Sequence, residues 1–439
     1  LVIMIVEQVQ REGHERVARL ADPEFLVVRT IRIQHRGDAH QVGNAEGRVI
    51  GYVAERIPAM HEVLFAEGQE KEFARRPFFA QVLAQRSVGT VGAASKFSEI
   101  SLAQVWLEGP YGLHEKAASI ERRHAMGELA ARCAQATNRS AAVEGISAQA
   151  LTALVQERAI AEVAGSGRYS FTHDIFLEWA MFGLCRQNGP DWPSTLTAAG
   201  DRPGMIRVVE LLSQFEFETG DNWSETQLAL EQQDAWLHWS RVWLLAPFAS
   251  PAFFDRKDTI SEFLREDHRL IRLLSSFRAH KTIENLLVVH GAFEIGEKTK
   301  FEKFRLADFL SWPRPVRNWR RLLIWLISLD WNEATAEDIV DTFDVWLNLF
   351  QDYPDKIKDR FAERFDQILT EWDAYDYWDR SKKTTPLGFH KDGFGGKLRQ
   401  AFLRSSLTNT DLLSRRLQAW TSERIDDKVQ TSVFAWSVR

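Results

Sequence analysis

Apolar positions recur at helical spacing along most of the chain and predict a mainly α-helical protein. The string SEISLAQVWLEG begins one helix at Ser98 and Glu99, and residues 115–137 follow as a longer helix of about six turns. Ser147 is expected to cap a third helix over residues 148–159, because its hydroxyl can accept a hydrogen bond from the first helical N–H groups.

The pattern then changes to two short strands. The string AIAEVAGSGRYSFTHD predicts a hairpin, with an apolar strand, a turn at residues 165–167 and an aromatic strand. The string IFLEWAMFGLCRQ returns to helical spacing. Two helices followed by a two-stranded wing predict a winged-helix domain over residues 100–190.

Residues 191–439 again show helical spacing. Trp236, Trp239 and Trp243 form one apolar stripe, and a second consists of Ile339, Val340, Phe343, Trp346, Leu347 and Phe350. Prolines interrupt these runs and no strict repeat period is found. Stacked helical hairpins of irregular length, an α-solenoid of the HEAT-like kind, fit this pattern best.

The N-terminal part has a different pattern. Residues 1–54 contain one strand-like string, PEFLVVRTIRI, and no lysine occurs before Lys71. The chain also begins at Leu1 and not at methionine, so we expect either a fragment boundary or a poorly determined segment there. From Glu55 the pattern is helical, and Pro77 predicts a break or kink near Arg76.

Composition limits the class of protein. A chain of 439 residues predicts two to four domains, and its 45% hydrophobic content is enough for large cores. The cysteines, Cys133 and Cys185, lack zinc-ligand spacing and favour a reducing compartment. No secretory signal or window of about 18 apolar residues is present, so we expect a soluble, cytoplasmic protein without a membrane partner.

The familiar catalytic motifs are absent from the sequence. The string nearest to a phosphate-binding loop, DGFGGKLR at residues 392–399, lacks the first glycine, and Leu398 replaces the Mg²⁺-binding hydroxyl. We interpret it as a glycine loop before a helix. The zinc-protease motif H-E-x-x-H and the G-x-S-x-G elbow are also missing. The chain has no self-sufficient active site, and its status as an enzyme stays open.

DNA binding is disfavoured by charge. Residues 139–174 contain three arginines against four acidic residues, a net charge of −1, and the whole chain carries −6. A module that contacts phosphates needs an excess of lysine and arginine.

A His173–Asp174 pair lies between the aromatic strand and the apolar helix that follows it. One interpretation makes His173 a core histidine that caps the strand–helix junction and Asp174 the helix N-cap. The other turns the imidazole outward, where it can donate a hydrogen bond to a bound phosphate.

The tryptophans also admit two roles. Trp and Arg anchor protein interfaces well, but core packing is the simpler role for most of these tryptophans. In the string NWRRLLIW, Arg320 and Arg321 are expected on the outward side.

Three strings resemble segments of STAND NTPases, the NACHT-like and NB-ARC-like class of signalling ATPases that includes bacterial antiviral-defence members. YSFTHDIFLEWA resembles the end of the winged helix in this class, EFARRPFFAQVLAQ part of its helical lid, and SEISLAQVWLEGPYG the approach to the winged helix. The resemblance covers residues 55–190, and the later helices resemble the class in architecture only. It implies a lid domain at 55–99, a winged helix at 100–190 and a solenoid sensor at 191–439.

The resemblance also implies nucleotide contacts. The winged-helix histidine of the class contacts the terminal phosphate of ADP, and His173 matches it. Pro77 matches the lid proline that packs on adenine, and Arg29 is a poor match to a nucleotide-sensing arginine. The phosphate loop and the Mg²⁺-binding strand would lie before Leu1, so residues 1–54 would be a remnant of the NTPase core. The chain resembles a C-terminal portion that would not bind ATP or ADP tightly alone.

By the same resemblance, the complete parent would be an ATPase using ADP or ATP with Mg²⁺. It would act as a switch in antiviral defence: ADP holds a closed state, a protein ligand, such as a viral one, binds the solenoid, and the opened protein forms a homo-oligomer. Two alternatives stay open: a non-enzymatic helical scaffold that uses its winged helix for protein contacts, and a winged-helix transcription regulator.

Overall fold

The computed structural model describes residues 98–109, 116–200, 205–220, 222–283, 312–313, 315–350, 356–371, 383–384, 390–391 and 394–422. The described chain is mainly helical, as the sequence predicts. The predicted segments 1–54 and 55–97, with Arg29 and Pro77, lie outside these residues. The predicted domain boundaries at residues 54, 99 and 190 stay predictions.

The α-helices are α1 (Glu99–Glu108), α2 (Lys116–Gln135), α3 (Ala148–Gln156), α4 (Asp174–Gln187), α5 (Trp192–Ala198), α6 (Ile206–Thr219), α7 (Trp223–Glu231), α8 (Leu237–Leu245), α9 (Lys257–Phe263), α10 (Asp267–His280), α11 (Val316–Ile327), α12 (Glu333–Phe350), α13 (Lys356–Glu371), α14 (Phe394–Ser406) and α15 (Thr410–Ser422). Short 3-10 turns occupy Gly189–Asp191, Asp234–Trp236 and Ala246–Ala249. The strands are β1 (Ala141–Ala142), β2 (Ile160–Val163), β3 (Arg168–Phe171), β4 (Thr282–Ile283), β5 (Trp312–Pro313), β6 (Lys383–Thr384) and β7 (His390–Lys391).

The chain forms two compact units, of which the first contains α1, α2 up to Met126, and α3. Ser98 begins α1 through a capping box with Ser101, in which each side chain accepts from the other residue's backbone N–H. At the other end of α1, the buried guanidinium of Arg122 donates to the carbonyls of Trp106 and Leu107 at 2.7 and 3.1 Å. The last carbonyls of α1 therefore have a charged donor although they are buried.

The predicted cap of α3 is confirmed. The backbone N–H of Ala150 donates to the Ser147 hydroxyl at 3.3 Å, and that hydroxyl also bonds the Glu121 carboxylate. The helix ends at Gln156, three residues before the predicted end.

The second unit, residues 127–145 and 157–439, begins with a small antiparallel sheet in the order β1-β3-β2. The predicted hairpin is confirmed: Ile160 pairs with Phe171 and Val163 with Arg168. Gly165 and Gly167 adopt φ of 68° and 61°, a conformation that only glycine adopts without strain. On the other edge, β3 pairs with β1 through Ala141 and Tyr169.

Alternate helices of this unit pack in a row, while α13 packs extensively on α14, the next described helix in the chain. Helix α6 packs on α4 and α8, α8 on α10, α10 on α12, and α12 on α14. The intervening helices make a second set of contacts, with α7 on α8 and α9, and α11 on α13. These neighbours close the apolar faces of α6, α10 and α12, whereas α4 is buried on most of its surface.

Tryptophan fills the core of this row, as the core-packing interpretation predicts. Trp179, Trp223, Trp239, Trp243, Trp319, Trp325 and Trp346 are all almost fully buried. Trp243 stacks on Trp192 at a ring separation of 5.5 Å and an interplanar angle of 6°. Trp236 lies in the 3-10 turn before α8 and is only half-buried, so the predicted stripe is confirmed at two of its three positions.

A closed ring of three hydrogen bonds joins α6, α7 and α8 inside this core. Ser213 Oγ donates to the Trp243 carbonyl at 2.7 Å, Trp243 Nε1 donates to the Trp223 carbonyl at 3.1 Å, and Trp223 Nε1 donates to Ser213 Oγ at 2.9 Å. All three residues are essentially inaccessible to solvent. The ring satisfies the polar atoms that two buried indoles bring into the core.

The second predicted stripe is the buried face of α12. Ile339, Val340, Phe343, Trp346 and Leu347 are all inaccessible, while the side chain of Phe350 is outside the description. Phe343 stacks on Phe361 of α13 with a centroid distance of 3.9 Å. The period of the sequence therefore identifies which face of α12 is buried.

The predicted orientation of Arg321 is wrong. Arg320 is exposed, but Arg321 is 3% exposed and its Nη1 donates to the Phe248 carbonyl at 2.8 Å. Burial, followed by repulsion from Arg317, lowers the pKa of the Arg321 guanidinium to about 9. The hydrogen bond joins α11 to the 3-10 turn at Ala246–Ala249 and compensates part of the desolvation of the charge.

The polar side of α12 is a row of carboxylates neutralised by neighbouring helices. Lys397 Nζ of α14 lies 2.8 Å from Glu337 and 3.1 Å from Asp341. Burial, and then the Asp341 carboxylate, raise the pKa of Asp344 to about 6 although Arg404 lies 3.2 Å away. These pairs hold α14 in register on α12.

Candidate functional site

The candidate site is the junction between β3 and α4. Thr172 closes the strand: its backbone N–H donates to the Ala159 carbonyl at 3.0 Å, and its hydroxyl donates to the Arg158 carbonyl at 2.7 Å. His173 follows in extended conformation, with φ of −144° and ψ of 142°, and α4 begins at Asp174. The sequence order strand, threonine, histidine, helix thus places the imidazole at the start of α4.

His173 is the N-cap of α4. Its Nδ1 accepts the backbone N–H of Ile175 at 3.2 Å, and its side chain is exposed. Because Nδ1 is the acceptor, the neutral imidazole carries its proton on Nε2. The ring is therefore fixed in one tautomer, with an N–H donor on the nitrogen that does not cap the helix.

Two parts of the first interpretation of this pair are wrong. His173 is exposed and not a core histidine, and the cap is His173 itself and not Asp174. Asp174 occupies the first turn, where a carboxylate still favours the helix dipole, and its Oδ1 lies 2.5 Å from Arg139 Nη1. The aspartate does not act as the cap because its residue already has helical geometry.

Both residues that flank His173 are tied to arginines with unusual backbone geometry. Arg139 and Arg158 have φ of 53° and 58°. Among the residues that the structure describes, they are the non-glycine residues with positive φ. Arg139 bonds Asp174 through its side chain, and Arg158 accepts from Thr172 through its carbonyl. A left-handed residue with a side chain costs about 1–3 kcal/mol, so surrounding contacts must hold both turns in place.

The charges at this junction suit anion binding better than acid–base catalysis. The first turn of α4 carries the positive end of the helix dipole, and the exposed side chain of Arg139 pairs with Asp174 beside His173. Asp174 opposes this charge, in an exposed pair with Arg139 that stabilises by about 1 kcal/mol at most. No nucleophile paired with a base has been identified at this junction.

The other predicted site residues cannot be placed beside His173. Pro77 and Arg29 lie outside the described residues. Sequence reasoning did not select Arg139 or Arg158. The polar string TNRS follows a helix and indicates a turn at Arg139. No local pattern indicates that Arg139 pairs with Asp174, which lies 35 residues away.

The string that most resembles a phosphate loop has a structural role. Helix α14 begins at Phe394, so the helix starts inside the string and not after it. Its lysine, Lys397, lies between Glu337 and Asp341, and these two carboxylates raise its pKa against the opposing effect of burial. Lys397 is therefore engaged by carboxylates instead of pointing into a loop.

In the described part of the chain, no group of three or more histidine, cysteine or acidic side chains is arranged to hold a metal ion. Nor does any helix among the described residues combine the length and apolar character needed to cross a membrane. Burial raises the pKa of Cys133 to about 11 and that of Cys185 to about 12, so neither thiol is activated as a nucleophile. Comparison with protein-family models, curated proteins and solved structures finds no match to this chain.

Proposed function

We propose that this chain is the regulatory and sensor part of a STAND-type nucleotide-dependent switch. In the proposal, residues 100–190 form a winged helix that contacts the terminal phosphate of ADP through His173. The helices after residue 190 form an irregular solenoid that recognises a protein ligand. The setting would be cytoplasmic antiviral defence, and the ATPase activity would reside in a complete parent protein.

The observation that carries the proposal is the exposure of the His173 side chain together with the hydrogen bond that its Nδ1 accepts. The imidazole is exposed, and its Nδ1 accepts the backbone N–H of Ile175, so the proposal assigns the phosphate contact to the Nε2–H. A core histidine with both nitrogens enclosed would have left the proposal without its main contact.

The topology around the junction supports the winged-helix part. The order helix α2, strand β1, helix α3 and hairpin β2–β3 is the order expected of a winged helix with a short first strand, and β1 joins the hairpin as the third strand. The every-second-helix packing of α4, α6, α8, α10, α12 and α14 supports a solenoid.

In the switch, ADP would stabilise the closed state through the His173–phosphate bond. A hydrogen bond to a charged acceptor contributes about 1.5–3 kcal/mol, which corresponds to a change of about 10- to 150-fold in affinity. A partner that binds only the open conformation would shift the equilibrium against this bond.

The test compares ADP binding by the protein produced from its entire reading frame with binding by two variants. His173→Ala removes both the cap and the donor, whereas His173→Asn keeps a good N-cap for the Ile175 N–H and removes the imidazole. We expect both variants to lose about 10- to 150-fold in ADP affinity by calorimetry. His268→Ala, which removes an exposed histidine from α10, serves as the matched control and should bind as the wild type does.

Two results would overturn the proposal. If the entire reading frame yields a protein without ADP affinity, the nucleotide switch is wrong. If ADP binds and His173→Asn retains wild-type affinity, the phosphate role of His173 is wrong.

A further inference from the structure

One face of the helix row collects basic side chains from three successive helices. Arg207, Glu210 and Gln214 lie on α6 at spacings of three and four residues and therefore share a side of the helix. Arg241 lies on α8, and Lys281 directly follows α10. We call these five residues, together with His280, the α6–α8–α10 face.

A single carboxylate holds two of the cations together. Glu210 lies 2.6 Å from Arg207 Nη1 and 3.2 Å from Lys281 Nζ. Burial would raise the pKa of Glu210, but Arg207 and Lys281 outweigh it and lower that pKa below its ordinary value. Glu210 is therefore ionised at neutral pH, and its negative charge is compensated by Arg207 and Lys281.

Arg241 is the cation that this arrangement does not compensate. Within the part of the chain that the structure describes, Arg241 makes no hydrogen bond or ion pair, and it is exposed. Arg241 lies close enough to the end of α10 to act on His280: burial, and then the charges of Arg241 and Lys281, lower the pKa of that histidine. Three permanent cations and a histidine thus face one carboxylate.

The helix dipole explains only part of this charge. The carbonyl end of α10 favours cations, which accounts for Lys281 and His280. It does not account for Arg241, which lies within α8 and not at its end. The face therefore carries one more cation than the helix dipole and Glu210 account for.

The size of the face favours a peptide over a nucleic acid. A nucleic acid is held by many phosphate contacts along a groove, whereas this face has three permanent cations with Glu210 among them. A short run of carboxylates needs only a few cations, and carboxylates form strong charge-assisted hydrogen bonds with arginine and lysine. Most of the described tryptophans of the row are buried in its core, which leaves polar side chains such as these for recognition at the surface.

We propose that the α6–α8–α10 face binds an acidic segment of a protein partner, whose carboxylates accept hydrogen bonds from Arg241 and are attracted by the charges of Arg207 and Lys281. This inference adds the chemical class of the ligand that the helices recognise. It rests on the proposed function only in assuming that the helices after residue 190 bind a protein. Binding would be electrostatic and would weaken as salt is added.

The experiment measures fluorescence anisotropy of a labelled hexaglutamate peptide with the 439-residue chain at low salt. Arg241→Glu places a like charge opposite the peptide and should weaken binding by about tenfold or more. The matched control is Arg415→Glu, which reverses an equally exposed arginine on α15 and should change the affinity by less than about twofold.

Three outcomes would overturn the proposal: no peptide binding by the wild type, equal losses in Arg241→Glu and Arg415→Glu, or tighter binding of a single-stranded oligonucleotide with the same dependence on Arg241. The assay contains no nucleotide, so its failure leaves the ADP contact of His173 untouched. Failure of the ADP test likewise leaves peptide binding by this face standing.

Discussion

Replacing Ser213 by alanine removes one oxygen atom from the centre of the closed hydrogen-bond ring. The Ser213 hydroxyl donates to the Trp243 carbonyl and accepts from Trp223 Nε1, and no solvent reaches any of the three residues. In Ser213→Ala both partners stay buried without a hydrogen bond. Leaving a buried polar group unsatisfied costs about 1–3 kcal/mol, so two such groups predict a loss of about 2–4 kcal/mol, allowing for partial relaxation.

The assay is urea-induced unfolding followed by tryptophan fluorescence, with the free energy of unfolding compared between variants. Ser275→Ala, at an exposed serine of α10, is the matched control and should stay within about 0.5 kcal/mol of the wild type. A double-mutant cycle with Trp223→Phe isolates the bond between the indole and the hydroxyl, since either change alone breaks it.

The cycle should show a coupling free energy of about 1 kcal/mol or more. If Ser213→Ala is as mild as Ser275→Ala, or if the two ring variants are additive, the ring does not stabilise the core and this reasoning is refuted.

Two further predictions concern α12. Phe361→Ala should destabilise the protein by about 3–5 kcal/mol in the same assay, because a fully buried ring stacked at 3.9 Å on Phe343 leaves a cavity; a loss under about 1 kcal/mol would contradict that packing. Asp344 has a folded-state pKa of about 6, above its unfolded value, so the folded form binds the proton more tightly and stability is lost as pH rises from about 4 to 6. Asp344→Asn should flatten that part of the stability profile, and an unchanged slope would show that Asp344 titrates normally.

Local patterns were sufficient to predict the elements around the junction. The caps at Ser98 and Ser147 and the glycine turn of the hairpin depend on residues within a few positions of each other, and all three are confirmed. The buried face of α12 follows in the same way from its period. Such features are encoded by neighbours along the chain, so the sequence shows them directly.

Features that depend on distant partners could not be predicted. Arg321 was expected to face outward because a charged residue is costly to bury, and its acceptor on Phe248 lies 73 residues earlier. The cap of α4 was assigned to Asp174, whose carboxylate instead pairs with Arg139, 35 residues away. In both cases the local pattern favours one position of the side chain, but a hydrogen bond to a residue far away in the sequence determines where the side chain lies.

The central claim is that the His173 imidazole meets a nucleotide phosphate, and a structure of the ADP complex of the protein from its entire reading frame tests it most directly. The decisive quantity is the distance from His173 Nε2 to the nearest oxygen of the terminal phosphate. The account predicts about 2.7–3.1 Å, with Nδ1 still accepting the Ile175 N–H. A bound ADP whose phosphates lie more than about 4 Å from Nε2, beyond hydrogen-bond reach, would contradict it.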